Sequence, residues 1–495
     1  VTGLIIGSGL AFAYQSTHYA LWFVLIAWCA LMLANHHCAS FWGRLRLWFT
    51  AGFGFYGTSL WWVRDYLHGE YGEAIWIQYV LWPVLILILA ASFLLPPLLT
   101  HHLSVKRTFF VLPFFLTLLD MAREHTDFSF AWLNPGLLVL DVGFSGWLST
   151  IGSVGGAFLV YGIASLSAFA IIRLLQFHIT MLLILSMVLL ALWGGNSLLT
   201  TPKIDTETIS VRLIHGDFSD EEKRSKGRVI ARVEQFTALS LGAGAPSLVI
   251  WPESTLSVAY QDVDKWIAPS FEALARAGTT ALYGGLFRNG QHLHNVIFQS
   301  RDAKPVYYKQ HPVPFGEARP PWFRQLFQSL PLSRGQDLVS GLHSSAFLSI
   351  GDSTVTLAIC YDAFQSDVFS RSLRDISSGV LVLLGDVAWT HTLWVKRFLL
   401  RLAQVRAAEV GKPLLYSTNQ GFTAFIDSQG RVVAHKTPKA HTAALDVDVP
   451  ISLSQTRYTT WGSDWLGWLF LGVIMTTLLV PRQRFAQTRF IFKSE

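Results

Sequence analysis

Charge is the first scarcity. Asp, Glu, Lys and Arg make up 14% of the 495 residues, against roughly 25% in ordinary soluble domains, which excludes a chain whose whole surface faces water. Cysteine is scarce too. Cys29, Cys38 and Cys360 give no even framework, and two of them lie in or beside long apolar runs, so structural disulfides are not expected. The 16 histidines show no ligand spacing; His36-His37 and His101-His102 flank apolar runs and read as interfacial, so no metal is expected. No Walker, Rossmann or other glycine-rich phosphate loop occurs, nor any internal repeat, and no cofactor is expected. The net charge of +6 calls for no nucleic acid, because basic loops between apolar runs account for it.

Hydrophobicity is what the chain has in excess. Mean hydropathy is +0.39, and there are 19 Trp and 35 Phe, more than a soluble core of this size uses. Crossing a ~30 Å hydrocarbon layer takes about 20 helical residues. Suitable stretches stand at roughly 18–34, 46–63, 75–99, 108–122, 146–172, 177–199 and 463–480, with the shorter run from Gly3 to Tyr14 as an eighth. Val1 lies directly against that short run, so the first helix is expected to have lost a few residues; no cleavage pattern marks it as a signal peptide.

Loop charges orient these runs. His36-His37 with Arg44 and Arg46, Lys106-Arg107, Arg173, and the tail with Arg482, Arg484, Arg489 and Lys493 are basic, whereas the alternate loops at 15–19, 64–73 and 124–141 are not. The positive-inside rule then puts both termini in the cytoplasm and requires about eight crossings. Residues 202–455 differ in character. Short strand-like runs (Ser210 to Ile214, Ser247 to Trp251, Val355 to Ile359, Val380 to Leu384, Thr423 to Ile426) alternate with helical ones, clearest at Glu221 to Leu241 and Trp394 to Val410. This predicts an α/β layered domain outside the cytoplasmic membrane. The expected division is 1–201 for seven membrane helices, 202–455 for the α/β domain, and 456–495 for a last helix and basic tail.

Three stretches within that domain carry chemistry: Trp251-Pro252-Glu253, Tyr308-Lys309 through Phe315-Gly316-Glu317, and Ile359-Cys360-Tyr361-Asp362. They supply a carboxylate, an amine and a thiol. A thiol attacks only as thiolate, so it needs a base for its proton and a cation for the charge that develops on an attacked carbonyl oxygen. Taken singly, each residue also has a plainer reading. Cys360 ends an apolar run and suits a small core hydrophobe, Glu253 suits a strand end reaching water, and Lys309 suits a solvated lysine. Glu253 and Cys360 both sit where a strand stops, the usual place for active-site residues in α/β folds.

These stretches, in this order, resemble the nitrilase or carbon-nitrogen hydrolase superfamily and, within it, the bacterial apolipoprotein N-acyltransferases. Further matches are Ser333-Arg334-Gly335, Arg406-Ala407-Ala408-Glu409, and Ser417 to Ala424 before the turn Asp427-Ser428-Gln429-Gly430. The resemblance implies a polytopic membrane domain of about eight helices joined to a four-layered α-β-β-α sandwich. It also implies a Glu253-Lys309-Cys360 triad, with Glu317, Tyr361 and Asp362 in support. In the implied reaction Cys360 takes an acyl chain from a membrane phospholipid as a thioester. An amine, the N-terminus of a diacylglyceryl-cysteine lipoprotein, then accepts it. The implied setting is the bacterial inner membrane, with the catalytic domain periplasmic and the protein a monomer in the bilayer.

The sequence departs from the family pattern at several points. Asp362 replaces the usual Glu, one methylene longer, so that residue's hydrogen bond is expected to be re-aimed or lost. Gly385-Asp386-Val387-Ala388-Trp389 stands where an Asn-Asp-Ala-Trp run is commoner, Tyr416 where an Arg is, and Pro312 where a Leu is. Two other readings therefore stay open: a membrane-anchored amidase or nitrilase that passes the acyl group to water, and a silent or repurposed paralogue acting as a scaffold.

Overall fold

The computed structural model describes residues 1–16, 19–71, 76–125, 130, 132–199, 204–242, 244, 246–300, 304–319, 325, 337–341, 347–350, 353–374, 379–452 and 455–479. Ser333-Arg334-Gly335 and the basic tail after Pro481 lie outside them. The N-terminal half is helical: α1 (Thr2–Gln15), α2 (Ala20–His37), α3 (Phe41–Ser59), α4 (Trp61–Tyr71), α5 (Trp76–Ser92), α6 (Leu95–Thr100), α7 (Val105–Glu124), α8 (Ser145–Leu175) and α9 (Thr180–Leu198).

The expected count of about eight membrane helices is not what forms. Among the described residues four segments are long and apolar enough to cross a membrane: Ala20–His37, Gln78–Thr100, Ser145–Leu175 and Thr180–Leu198. The reason is length and charge. Helix α1 has 14 residues and the C-terminal helix Asp464–Leu479 has 16, about 21 and 24 Å at ~1.5 Å per residue, short of the ~30 Å layer. Helix α3 carries Arg44 and Arg46 in its first two turns, and α7 carries Lys106, Arg107, Asp120, Arg123 and Glu124 near its ends, so the uncharged stretches 47–59 and 108–119 are only about 20 and 18 Å long. These helices pack as part of a bundle instead. Gly3 and Gly7 of α1 lie against the backbone of α3 at Leu47 and Ala51.

The α/β half contains two sheets. Strands β1 (Ile204–His215), β2 (Leu248–Ile250), β3 (Leu256–Ala259), β4 (Thr280–Asn289), β5 (His292–Gln299), β6 (Pro305–Tyr308) and β13 (Ala443–Ser452) form one, in the order β13-β1-β2-β4-β5-β6, with β3 also on β4. Strands β7 (Phe347–Ile350), β8 (Ser353–Ile359), β9 (Val380–Asp386), β10 (Leu414–Asn419), β11 (Thr423–Ile426) and β12 (Val432–Lys436) form the other, in the order β12-β11-β10-β9-β8-β7. Side chains alternate across a strand. Accordingly Val380, Val382 and Leu384 of β9 meet Val211, Leu213, Leu248 and Ile250 of the first sheet, while Leu381 and Leu383 face away. Each such fully buried side chain is worth about 1.5–3 kcal/mol.

Helices cover both outer faces. On the first sheet lie α10 (Lys226–Ser240) and α11 (Asp264–Arg276), through Val229, Val233, Phe236, Ile267 and Phe271. On the second lies α12 (Leu393–Val410), closed by Gly411 at φ 66, where a residue without Cβ costs no strain. This is the α-β-β-α sandwich expected. Its outer helix α12 is also packed on the membrane bundle, in one continuous apolar cluster that runs from Leu381 and Val395 to Leu137 and Val160.

Polar contacts reinforce that seam. Glu409 Oε1 of α12 accepts from the Ser153 backbone N–H at 2.6 Å, just where α8 breaks at Gly152 (φ 65, ψ −175). Glu124 accepts from the Ser366 backbone N–H, and Arg401 pairs with Asp141. Glu124 is the last residue of α7, Asp141 lies just before α8 and Ser153 in its first third, all away from Lys106 and Arg107 at the start of α7 and Arg173 at the end of α8. The bundle thus has a basic end and an end that carries the α/β domain.

Candidate active site

Cys360 begins where β8 stops. Its backbone has φ +45, a left-handed conformation that a residue with a Cβ adopts only at a cost of ~1–3 kcal/mol and that clusters at functional sites. Ser254 (φ 58) and Phe315 (φ 64) share it, and all three line one cavity. The neighbouring strands β9 and β10 run parallel to β8, so Asp386 and Asn419 end beside Cys360. Glu253 follows β2 in the facing sheet. The site therefore lies outside the carboxyl ends of parallel strands, as open α/β sheets commonly arrange it.

Lys309, just after β6, is 1% exposed. Its Nζ lies 3.1 Å from Glu253 Oε1 and 2.7 Å from Glu317 Oε2. Asn295 of β5 donates to both carboxylates, at 2.8 Å to Glu253 and 3.1 Å to Glu317. Glu317 also accepts from the Val313 backbone N–H at 2.8 Å. Burial alone would lower the Lys309 ammonium, but the two carboxylates more than offset that and hold it charged well above the ordinary lysine range. Burial pushes Glu253 up, against the pull of Lys309. It also pushes the Cys360 thiol well up, aided by Glu253, so the resting sulfur keeps its proton.

Asp362, two residues after Cys360, is fully buried. Its carboxylate does not reach the cavity. It accepts from Tyr307 Oη (2.8 Å), the backbone N–H of Gln310 (3.1 Å) and of His311 (2.7 Å), and that of Ile359 (3.1 Å). Those donors flank Lys309 on one side and Cys360 on the other, so the carboxylate ties the two segments together. Burial raises it to about 6. Tyr361 lines the cavity and stacks on Phe364, with centroids 4.6 Å apart.

Several site residues escaped sequence reasoning. Asn295 was visible only as a polar residue in an apolar strand. Lys223 forms an ion pair with Asp386 at 2.5 Å, and both line the cavity. Asp386 also accepts from Asn419 Nδ2 at 3.0 Å; burial would raise it, but Lys223 and these hydrogen bonds hold it below the usual carboxylate range. The two departures at Gly385 and Tyr416 are one packing event: a Cβ on Gly385 would lie 2.9 Å from the Tyr416 ring.

The cavity, about 300 Å³, has one polar wall, formed by Glu253, Lys309, Glu317 and Cys360. Its lining is also hydrocarbon: Val80, Val84 and Ile88, on successive turns of a segment long and apolar enough to cross a membrane, belong to it and are 48%, 45% and 52% exposed.

Comparisons with known proteins agree in both halves of the chain. The apolipoprotein N-acyltransferase N-terminal domain matches residues 7–166, and the carbon-nitrogen hydrolase domain matches residues 223–457. The apolipoprotein N-acyltransferase of Vibrio vulnificus is 27% identical over 90% of each chain. That of Pasteurella multocida is 26% identical over 85% of this chain and 84% of its own. An amidase from Nesterenkonia sp. aligns with 51% of this chain and 94% of its own, at 15% identity and a TM-score of 0.36. With both domains present in this order and relatives that align along most of their length, the chain is a membrane protein of the carbon-nitrogen hydrolase, or nitrilase, superfamily, related to the apolipoprotein N-acyltransferases.

Proposed function

We propose that the protein transfers a fatty acyl chain from a membrane phospholipid, through a thioester on Cys360, to the N-terminal amine of a diacylglyceryl-cysteine lipoprotein. The observation that carries this reading is a cavity lined both by Cys360 and by an apolar segment long enough to cross a membrane. A substrate delivered by water would need no such lining.

In the first step Glu253, made more basic by burial, takes the thiol proton as sulfur attacks the ester carbonyl. Lys309 stands nearby as a fixed cation for the oxyanion. The tetrahedral intermediate collapses, the C–O bond breaks, and the lysophospholipid oxygen leaves with the proton held by Glu253. In the second step the lipoprotein amine attacks the thioester. Glu253 takes the amine proton, the C–S bond breaks, the amide is released and the sulfur regains a proton. Glu317 and Asn295 hold the lysine and the base in place, and Asp362 fixes the two segments relative to each other.

The catalytic half is assigned to the periplasmic face. The basic residues Arg44, Arg46, Lys106, Arg107 and Arg173 gather at the opposite end of the bundle, and the positive-inside rule puts that end in the cytoplasm.

The test uses the full chain in lipid nanodiscs. A phospholipid with a labelled acyl chain is expected to leave hydroxylamine-sensitive label on Cys360, and a diacylglyceryl-cysteine peptide to discharge it as a stable amide. Label released only as free fatty acid would make the protein a hydrolase. Absence of label in folded protein would overturn the reading.

A further inference from the structure

Beside the catalytic cavity lies a larger one, about 520 Å³, between α1, α3 and α4 of the bundle and the start of α12. Its walls run along α1 from Leu4 to Gln15, roughly 16 Å at ~1.5 Å per residue. Phe12 and Phe53 are among its lining residues and are 63% and 40% exposed. Gly57 forms part of its floor; a Cβ there would meet nothing closer than Ile86 at 3.9 Å. At its inner end lie Ser59 and Trp62. Ser59 Oγ and Trp62 Nε1 are buried and have no hydrogen-bond partner among the described residues, although buried polar groups are normally satisfied. The lining mixes apolar side chains with Ser8, Gln15, Thr58 and Asp65, and with these two unmet groups it fits an amphiphile with a long chain and a polar, hydrogen-bonding head.

Trp62 lines both cavities and is the wall between them. Its ring lies 5.2 Å from that of Trp389 in the catalytic cavity. That adjacency poses a packing problem for the proposed reaction. Once Cys360 is acylated, the bound chain occupies the hydrocarbon wall of the catalytic cavity. The acceptor arrives with two chains of its own, and its amine must still reach the thioester.

We propose that this second cavity is the acceptor's lipid site: it receives an acyl chain of the diacylglyceryl group, with Ser59 and Trp62 donating to the ester oxygens near the glycerol, while the donor's chain remains on the α5 side. This rests on the acyl-transfer reading above.

Two measurements test it, and the substitution on which both turn, Gly57→Leu, lies outside the catalytic wall. The first needs no turnover. A diacylglyceryl-cysteine peptide with a terminal diazirine on one chain is photolysed with the Cys360→Ala protein in nanodiscs. Crosslinks are expected on α1 and α3, around Phe12 and Phe53, and a Gly57→Leu substitution, which fills the floor, is expected to reduce them at least five-fold. Crosslinks confined to Val80–Ile88, or a phospholipid carrying the same diazirine that labels α1 and α3 equally well, would overturn the assignment. The second separates the half-reactions. Gly57→Leu is expected to acylate Cys360 from phospholipid within two-fold of wild type and to release acyl to hydroxylamine normally, while KM for the peptide rises about ten-fold. Equal losses in both half-reactions, or an unchanged KM, would overturn it. If wild type never acylates, the acyl-transfer reading fails separately, and the crosslinks still report whether the cavity takes the lipid.

Discussion

Lys309 holds two buried carboxylates at once, and its removal leaves Glu253 and Glu317 facing each other without a cation. Breaking a buried pair from one side costs about 3–5 kcal/mol. Lys309→Ala is therefore expected to lose that much stability at pH 8. Without the cation both carboxylates titrate higher in the folded than in the unfolded protein, so the folded state gains protons and the deficit shrinks as pH falls toward 5. Thermal unfolding at the two pH values measures this, and an unchanged midpoint at pH 8 would contradict the site as drawn. Glu253, raised by burial, should place the acid limb of kcat/KM above the ordinary glutamate range near ~4.3. Glu253→Gln should abolish that limb and slow acylation by about 10²–10⁴. At Gly385 a Cβ meets the Tyr416 ring. Gly385→Ala should thus cost about 1–3 kcal/mol, and Tyr416→Leu in the same chain should recover most of it, a coupling that a double-mutant cycle reads directly.

Glu253 and Cys360 were legible as candidates because each follows an apolar strand run, and Lys309 because the stretch around it carried the family resemblance. The hydrogen bonds of Asp362 were not legible, because Tyr307, Gln310 and His311 lie in or just after a strand about 50 residues away that no local pattern brings near. Gly385 and Tyr416 looked like separate departures, since only the parallel register of β9 and β10, with Tyr416 beside Leu383, makes them neighbours.

Among the elements, α12 is the one that joins the two halves. Its inward face meets the second sheet through Leu402 and Ala403, and Glu409 at its far end reaches the kink of α8. Arg406 pairs with Glu409 and also donates to the Ala363 carbonyl at 2.9 Å, one turn after the nucleophile. Glu409→Ala should therefore cost about 3–5 kcal/mol, and hydrogen exchange should quicken both at Ser153 and around Phe364. Exchange that quickens on one side alone would mean that the two halves are not coupled here. The helix itself was read correctly, Trp394 to Val410 against Leu393–Val410, because its apolar spacing and terminal glycine are local signals. The helix expected from Glu221 to Leu241 splits into a short turn at Glu222–Arg224 and α10. The membrane spans were over-read for a different reason. Hydropathy measures how apolar a stretch is, and a helix packed inside a bundle needs that as much as one facing lipid.

At the scale of the molecule, charge and chemistry lie at opposite ends of one bundle. A single cysteine placed at His441, on the α/β half, in a Cys29→Ser, Cys38→Ser, Cys360→Ala background, should react with a membrane-impermeant maleimide in intact spheroplasts. One placed at Lys106 should react only after lysis. The reverse pattern would invert the orientation proposed here.

The aromatic side chains at the seam carry a practical consequence. Trp132 lies between Phe364 and Phe398, at 4.6 and 5.1 Å, and Tyr458 fills the gap that Gly152 leaves in α8. Phe364 and Phe398 belong to the catalytic half, Trp132 and Gly152 to the membrane half, and Tyr458 to the short helix Arg457–Trp461 that follows the α/β domain. An excised catalytic half would show water a broad aromatic face and would lack the wall that Val80, Val84 and Ile88 give its cavity. It should precipitate rather than work as a free-standing enzyme, so chemists seeking a water-soluble version would have to redesign that face and not merely trim the chain.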